Sequence, residues 1–343
     1  MSQHQQVLDA FVQLGKDFGK IAEAKNSIET AEIESIIPLV KSQNAWFTEN
    51  YVRQSFAALS KMLEKNTLQN WLSVYGDFTF PNQPKNIAII MAGNIPMVGF
   101  HDLLCVLISG NRAIVKLSSD DRILLPAVMR NLSNYHPELA SNVSFAQGLL
   151  SGFDAVIATG SNNTSRYFEA YFGKYPNIIR KGRNSVAVLE GDETEEEMQH
   201  LAKDVFDYYG LGCRNVTKLY IPENFDLDRI FNGLFPFAHI VNHNKYANNY
   251  DYHKSLWLLN REELLDNGFI LLKLDTRIAS PIGTLFYERY PDRSLLNDLL
   301  NGQKDQIQCI VGKSYVPFGQ SQCPALNDYA DGVDTMKFLQ SLC

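Results

Sequence analysis

Residues 87–119 read IAIIMAGNIPMVGFHDLLCVLISGNRAIVKLSS. The run 87–91 is short and wholly apolar, as a strand buried on both faces of a parallel sheet must be. AGNIP follows as a turn. Residues 100–108 read as a helix, stopped by Gly110 and Asn111, and 113–115 as a second strand ending at Lys116. Strand, helix and strand, with a loop at each strand's carboxyl end, make the repeating unit of an α/β sheet.

The alternation continues downstream. A helix runs from near Ile123 and Leu124 toward Leu132. Residues 143–145 and 155–158 read as strands, the second ending in Thr159-Gly160-Ser161, and 167–172 lie on a helix. Residues 186–189 form another strand. GDETEEE then opens a helix that runs to Tyr209 and stops at Gly210, and its acidic cluster, 192–197, suits a helix N-terminus. Residues 218–221, 269–274 and 284–290 are strand-like and 227–234 helical. Upstream, residues 1–75 read as helices, with Val52, Phe56, Leu59 and Leu63 at helical spacing as a packing face. Trp46, Phe47 and Trp71 read as core aromatics. The class is therefore α/β: a doubly wound parallel-sheet cofactor domain and an α/β catalytic domain, preceded by a helical N-terminus. The expected divisions are 1–182, 183–312 and a C-terminal segment, 313–343.

The chain has 343 residues, 45% hydrophobic and 20% charged, enough for about two domains. Its net charge of -7 argues against nucleic acid as the main partner, since phosphate binding needs a basic face. No apolar run reaches membrane-spanning length and the N-terminus has no apolar signal core, so a cytoplasmic protein is expected. The five cysteines, Cys105, Cys213, Cys309, Cys323 and Cys343, are widely spaced and form no CxxC pair. That disfavours a disulfide framework and a zinc knuckle, and no metal is expected. His101, His239 and His243 lack metal-ligand spacing and receive no role.

Four loops carry the candidate chemistry: Gly93-Asn94-Ile95-Pro96, Lys116-Leu117-Ser118-Ser119, Thr159-Gly160-Ser161 and Gly210-Leu211-Gly212-Cys213-Arg214. Each alone is ordinary turn composition. Cys213 stands apart. Its small neighbour Gly212 leaves room for a carbonyl to approach sulfur, and the adjacent Arg214 favours the thiolate. Cys105, between Leu104 and Val106 on an apolar helix, reads as core.

In order and spacing these loops resemble the aldehyde dehydrogenase superfamily. GNIP is similar to its asparagine-aromatic-proline loop, GNRAIVKLSS to its GN-x-VVLKPSE segment, IATGSNNTSR to its FTGS loop and GLGCRNVTKLYIP to its GQxC segment. More narrowly, and through PALNDYADGVDTMKFL as well, the chain resembles the acyl-CoA reductases, whose best-known members make fatty aldehyde for bacterial luminescence. The resemblance implies an aldehyde-dehydrogenase-like fold. Cys213 would be the nucleophile, and the Asn94 side chain with the Cys213 amide would form the oxyanion hole. Lys116 and Ser118 would contact the adenosine ribose or its 2′-phosphate, and Gly160 and Ser161 would admit the dinucleotide phosphates.

Three departures shape the expected reaction. Arg180 stands where the dehydrogenases carry the glutamate that activates water, which favours thioester reduction over aldehyde oxidation. Ser119 replaces a carboxylate that would repel a 2′-phosphate, so NADPH is expected, with NADH the alternative. Arg277-Ile278-Ala279-Ser280-Pro281 lacks the carboxylate that holds the nicotinamide ribose. The expected activity is NADPH-dependent reduction of an acyl-CoA or acyl-carrier thioester to an aldehyde. An acyl-phosphate reductase of the same fold and a catalytically silent scaffold relative are the competing readings, and a homo-oligomer stays open.

Overall fold

The computed structural model describes residues 3–25, 27–76 and 80–342; Cys343 lies outside them. The chain divides into two compact units: unit 1, residues 1–181 with 325–343, and unit 2, residues 182–324. The sequence reading ends the catalytic domain at 312. The structure carries unit 2 on to Pro324 and returns the remainder to unit 1.

Unit 1 opens with α1 (Gln3–Ala22), α2 (Ala31–Gln43), α3 (Glu49–Met62) and α4 (Lys65–Ser73). Thr48 starts α3 by accepting the Tyr51 amide with its side chain. The stripe Val52, Phe56, Leu59 and Leu63 is buried, as its spacing predicts, and so are Phe47 and Trp71. Gly15 lets α1 approach: a Cβ there would lie 2.6 Å from that of Leu63.

The α/β part follows as β1 (Asn86–Ile90), α5 (Phe100–Ile108), β2 (Arg112–Lys116), α6 (Leu124–Ser133), α7 (Pro137–Ser141), β3 (Val143–Phe145), β4 (Ala155–Thr159), α8 (Asn162–Phe172) and β5 (Asn177–Arg180). Its five strands are all parallel, in the order β3-β2-β1-β4-β5. Both faces are covered, which explains the wholly apolar runs. Ile87 and Ile89 join the larger core with α5 and α6, while Ala88, Val156 and Ala158 pack under Phe168 and Phe172 of α8. Strand order reverses between β1 and β4, and the crevice at the carboxyl ends of strands beside such a reversal is where open α/β sheets bind ligands.

Unit 2 contains β6 (Asn184–Val188), α9 (Glu195–Phe206), β7 (Val216–Pro222), α10 (Asp228–Leu234), α11 (Asn244–Leu259), β8 (Leu265–Asp266), β9 (Leu271–Leu274), β10 (Thr284–Tyr290), α12 (Arg293–Gly302) and β11 (Ile307–Val311). Its sheet order is β11-β6-β7-β10-β9-β8, parallel except for β8 against β9. The acidic cluster does start a helix: Thr194 and Glu197 form a reciprocal capping box on α9. That helix ends at Phe206, three residues before the expected Tyr209. Finally α13 (Thr335–Gln340) belongs to unit 1, where Leu326, Tyr329, Met336 and Leu339 share the core of α5.

Among the described residues, no helix is long and apolar enough to cross a membrane.

Candidate active site

The early end of α9 has a local cause. Tyr208, Tyr209 and Gly210 all take left-handed backbone angles, with φ of 53°, 58° and 76°. Two non-glycine residues in that region are strained by about 1–2 kcal/mol each, so the surroundings must hold them. Asn215 does so. Its side chain is fully buried, and Nδ2 donates to the carbonyls of Asp204 (3.1 Å) and Asp207 (2.8 Å). Its Oδ1 accepts the Gly212 amide at 2.8 Å, and its own amide donates to the Gly212 carbonyl at 3.0 Å. One side chain thus ties the end of α9 to the turn that carries Cys213.

Cys213 is half-buried in that turn. The buried Ser185 hydroxyl of β6 donates to the Cys213 carbonyl at 3.1 Å and in turn takes the Cys309 amide and thiol, at 3.2 and 3.1 Å. Arg214 is buried and its Nε donates to the Ser321 carbonyl at 2.6 Å. Asp204 fixes that segment by accepting the amides of Gly319 and Ser321. The sulfur is therefore presented by a turn whose backbone is anchored from β6 and α9. Cys105 contrasts with it: fully buried on α5, with its thiol pushed well up by burial, it is core, as read.

Asn215→Ala should leave the Gly212 amide and two helix-end carbonyls buried without partners. The expected cost is about 2–4 kcal/mol of stability, read as a lower urea midpoint. An unchanged midpoint would show that the turn holds itself.

In unit 1 the other candidates gather on one edge of the sheet. Asn94, the 116–119 segment and Gly160-Ser161 follow β1, β2 and β4, which are adjacent. Asn94 is half-buried in the loop after β1. Gly93 beside it tolerates no side chain, because a Cβ would meet the Ser118 hydroxyl at 2.4 Å. Ser118 Oγ accepts the Asp120 amide at 3.2 Å, and Ser119 is exposed. Lys116 Nζ donates to the Gly148 carbonyl at 2.6 Å. Ser161 caps α8, accepting the Thr164 amide at 3.3 Å, so the first amides of that helix point to the crevice end of the sheet. Such amides suit dinucleotide phosphates. The residues present fit a nicotinamide dinucleotide.

Arg180 has a structural partner. It is 4% exposed at the end of β5, and its guanidinium pairs with Asp102 of α5 through both carboxylate oxygens, Nη2 to Oδ1 at 2.8 Å. The same Nη2 donates to Thr335 Oγ1 of α13 at 3.0 Å. Burial would raise the Asp102 carboxyl; the charge and hydrogen bonds of Arg180 outweigh it and hold the group below its ordinary value. Arg180 is thus an interior staple of unit 1. His101 is interior too: it lies between Trp71 and Tyr329 and donates from Nε2 to the Leu326 carbonyl at 3.1 Å. Arg277 is exposed and forks onto Asp275.

Sequence reasoning missed Asn215, Ser185 and Asp204. Asn215 was findable, because an asparagine that ends a glycine-containing turn is a common backbone tie. The other two act from elements distant in sequence.

The sequence model of the family described as acyl-CoA reductase (LuxC) matches residues 41–228, more than half of the chain. A long-chain acyl-protein thioester reductase of Aliivibrio fischeri is 25% identical over 61% of this chain and 47% of its own length. The enzyme of that name from Vibrio harveyi is 25% identical over 38% and 31%. The chain thus spans about half the length of the first of these curated relatives. Among solved structures, aldehyde dehydrogenase 21 from Physcomitrella patens matches with a TM-score of 0.61 at 12% identity, over 91% of this chain and 79% of that one. An NADP-dependent glyceraldehyde-3-phosphate dehydrogenase from Bacillus halodurans matches with a TM-score of 0.63 at 12% identity, over 91% and 74%. The fold is that of the aldehyde dehydrogenases.

Proposed function

The chain belongs to the acyl-CoA reductase (LuxC) family, and from that premise we propose that it reduces a fatty acyl thioester to the aldehyde through an acyl-cysteine at Cys213, with NADPH as reductant. The observation that carries this is the Cys213 turn, a half-exposed thiol on a backbone fixed by Asn215 and Ser185. A scaffold protein has no use for so constrained a cysteine.

In the first half of the reaction the Cys213 thiolate attacks the thioester carbonyl. Asn94 donates to the oxygen as its charge grows, a contribution of about 3 kcal/mol for one such donor. The C–S bond to the donor's sulfur then breaks, leaving the acyl group on Cys213, and the donor departs as a thiolate that takes up a proton. A bound nicotinamide supplies the hydride that completes the reduction. Lys116, Ser118 and Ser119 would hold the adenosine end, and Gly160 with Ser161 the phosphates. Arg180, committed to Asp102, cannot take a proton from water, so the acyl-enzyme has no general base there. The relatives' names point to an acyl group delivered on a protein; the family's name points to acyl-CoA.

The test gives the purified protein a panel of acyl-CoAs and an acyl-protein. Without NADPH, intact mass should show one acyl group on Cys213 and little free acid. Added NADPH should convert the adduct to aldehyde, and NADH should do so less well. Rapid acid release without cofactor, or no adduct from any donor, would overturn the proposal; turnover of acyl phosphates alone would move it to the acyl-phosphate reading.

A further inference from the structure

The loop 92–99 that carries Asn94 has no regular structure, so its shape depends on ties from other elements. Three are neutral. The Met91 amide donates to the Lys116 carbonyl at 3.0 Å, Gly93 packs on Ser118, and the Ser55 hydroxyl of α3 donates to the Pro96 carbonyl at 2.8 Å. The fourth ends on an ionisable group: the Met97 amide donates to Asp121 Oδ2 at 2.9 Å. Met97 is a left-handed residue, with φ of 59°, three positions after Asn94, and this bond helps to keep it there.

Asp121 is an unusual anchor. Its carboxyl is buried, and Oδ1 has no hydrogen-bond partner among the described residues. It borders a small cavity whose other lining includes Met91, Met97, Phe100, Leu117 and Leu125. Among the described residues, the elements around it present no charge to it. The loop after β1 and α5 offer Met97 and Phe100, α6 offers Leu125 and the Leu124 amide, and α3 offers neutral Ser55 to the loop. Asp120 and Arg122, its chain neighbours, are exposed, and Asp102 of α5 is committed to Arg180. Burial raises the Asp121 carboxyl to about 6, against the Met97 and Leu124 amides.

We propose that Asp121 is a positioning residue for Asn94: as a carboxylate it fixes the Met97 amide and so the loop that presents Asn94 to the oxyanion, a role that rests on the part given to Asn94 above. A protonated carboxyl accepts an amide hydrogen more weakly than a carboxylate. As pH falls through about 6 the tie weakens, and acylation of Cys213 slows with little change in thioester affinity.

The test uses the full chain, acyl-CoA as donor and methyl-labelled methionine, from about pH 5 to about pH 8. In the wild type the Met97 methyl signal, assigned with Met97→Leu, should titrate with a midpoint of about 6. In Asp121→Asn it should not titrate, single-turnover acylation at neutral pH should slow by roughly tenfold, and the acid limb with that midpoint should vanish. Ser55→Ala should slow acylation yet keep the limb. A Met97 signal that stays fixed across the range, or an Asp121→Asn profile that superimposes on the wild type, would overturn the proposal. Should Asp121→Asn fail to fold, the wild-type methyl titration decides. Should the wild type form no acyl-enzyme, the function proposed above falls, and the methyl titration still decides whether Asp121 holds the loop.

Discussion

Cys213→Ala should lose thioester reduction by a factor of at least ~10⁴, the scale on which removal of a nucleophile is felt. It should also lose the acyl adduct. The substitution spares two backbone anchors of the turn. Ser185 holds the Cys213 carbonyl, and Asn215 holds the Gly212 amide. The variant should therefore unfold at the wild-type urea midpoint and bind NADPH as before. Cys323→Ala is the control: Cys323 is exposed, and its loss should leave the adduct in place. Intact mass after a short exposure to acyl-CoA reads both proteins. An adduct of full stoichiometry on Cys213→Ala would take the nucleophile away from this position.

Arg180→Glu should unfold unit 1 rather than open a route for water. By resemblance alone the change restores a general base. The structure places the new carboxylate beside Asp102, inside a core, with the Thr159 and Thr335 hydroxyls as neutral polar neighbours. Breaking a buried pair by removing one partner costs about 3–5 kcal/mol, and two facing carboxylates add repulsion. That approaches the whole stability of a typical domain. The expected result is a large fall in the urea midpoint or an insoluble protein. A soluble Arg180→Glu with the wild-type midpoint would mean that the pair contributes nothing. The sign with pH follows from Asp102. Its folded-state pKa lies below the ordinary 3.8, so the pair's contribution is present above that value and is lost as pH falls through the lower folded value.

The strands most legible in the sequence were those buried on both faces. IAIIM and AVIA announce β1 and β4 because apolar side chains pack on both faces of each. β5 and β11 escaped notice. Each lies at the edge of its sheet, where alternate residues stay partly exposed and no continuous apolar run is needed. α11 was also missed: Tyr246, Tyr250 and Trp257 share its one buried face, but Tyr252, Leu256, Leu258 and Leu259 are exposed apolar residues that blur the helical period. The candidate site divides in the same way. Loops were readable because Gly, Asn and Ser mark turns wherever they occur. What holds those loops was not. Asp121 and Ser185 act on partners 24 and 28 residues away, and Arg180 reaches Asp102 and Thr335 across 78 and 155. A motif gives a position in a sequence; the partner that decides what the residue does there is supplied by topology.

The return of residues 325–343 to unit 1 bears on how the chain is made. A ribosome releases the first 181 residues of unit 1, then the whole of unit 2, and only afterwards the segment with Leu326, Tyr329, Met336 and Leu339. Synthesis of the intervening stretch takes on the order of ten seconds. Through that interval Asp102 and Arg180 lack Thr335, His101 lacks the Leu326 carbonyl, and the apolar surfaces beside α5 are bare. Unit 2 has all of its residues while unit 1 still waits for its last. The nascent protein thus has a built-in interval in which a holding chaperone would find apolar surface on the older half of the chain and not on the newer one.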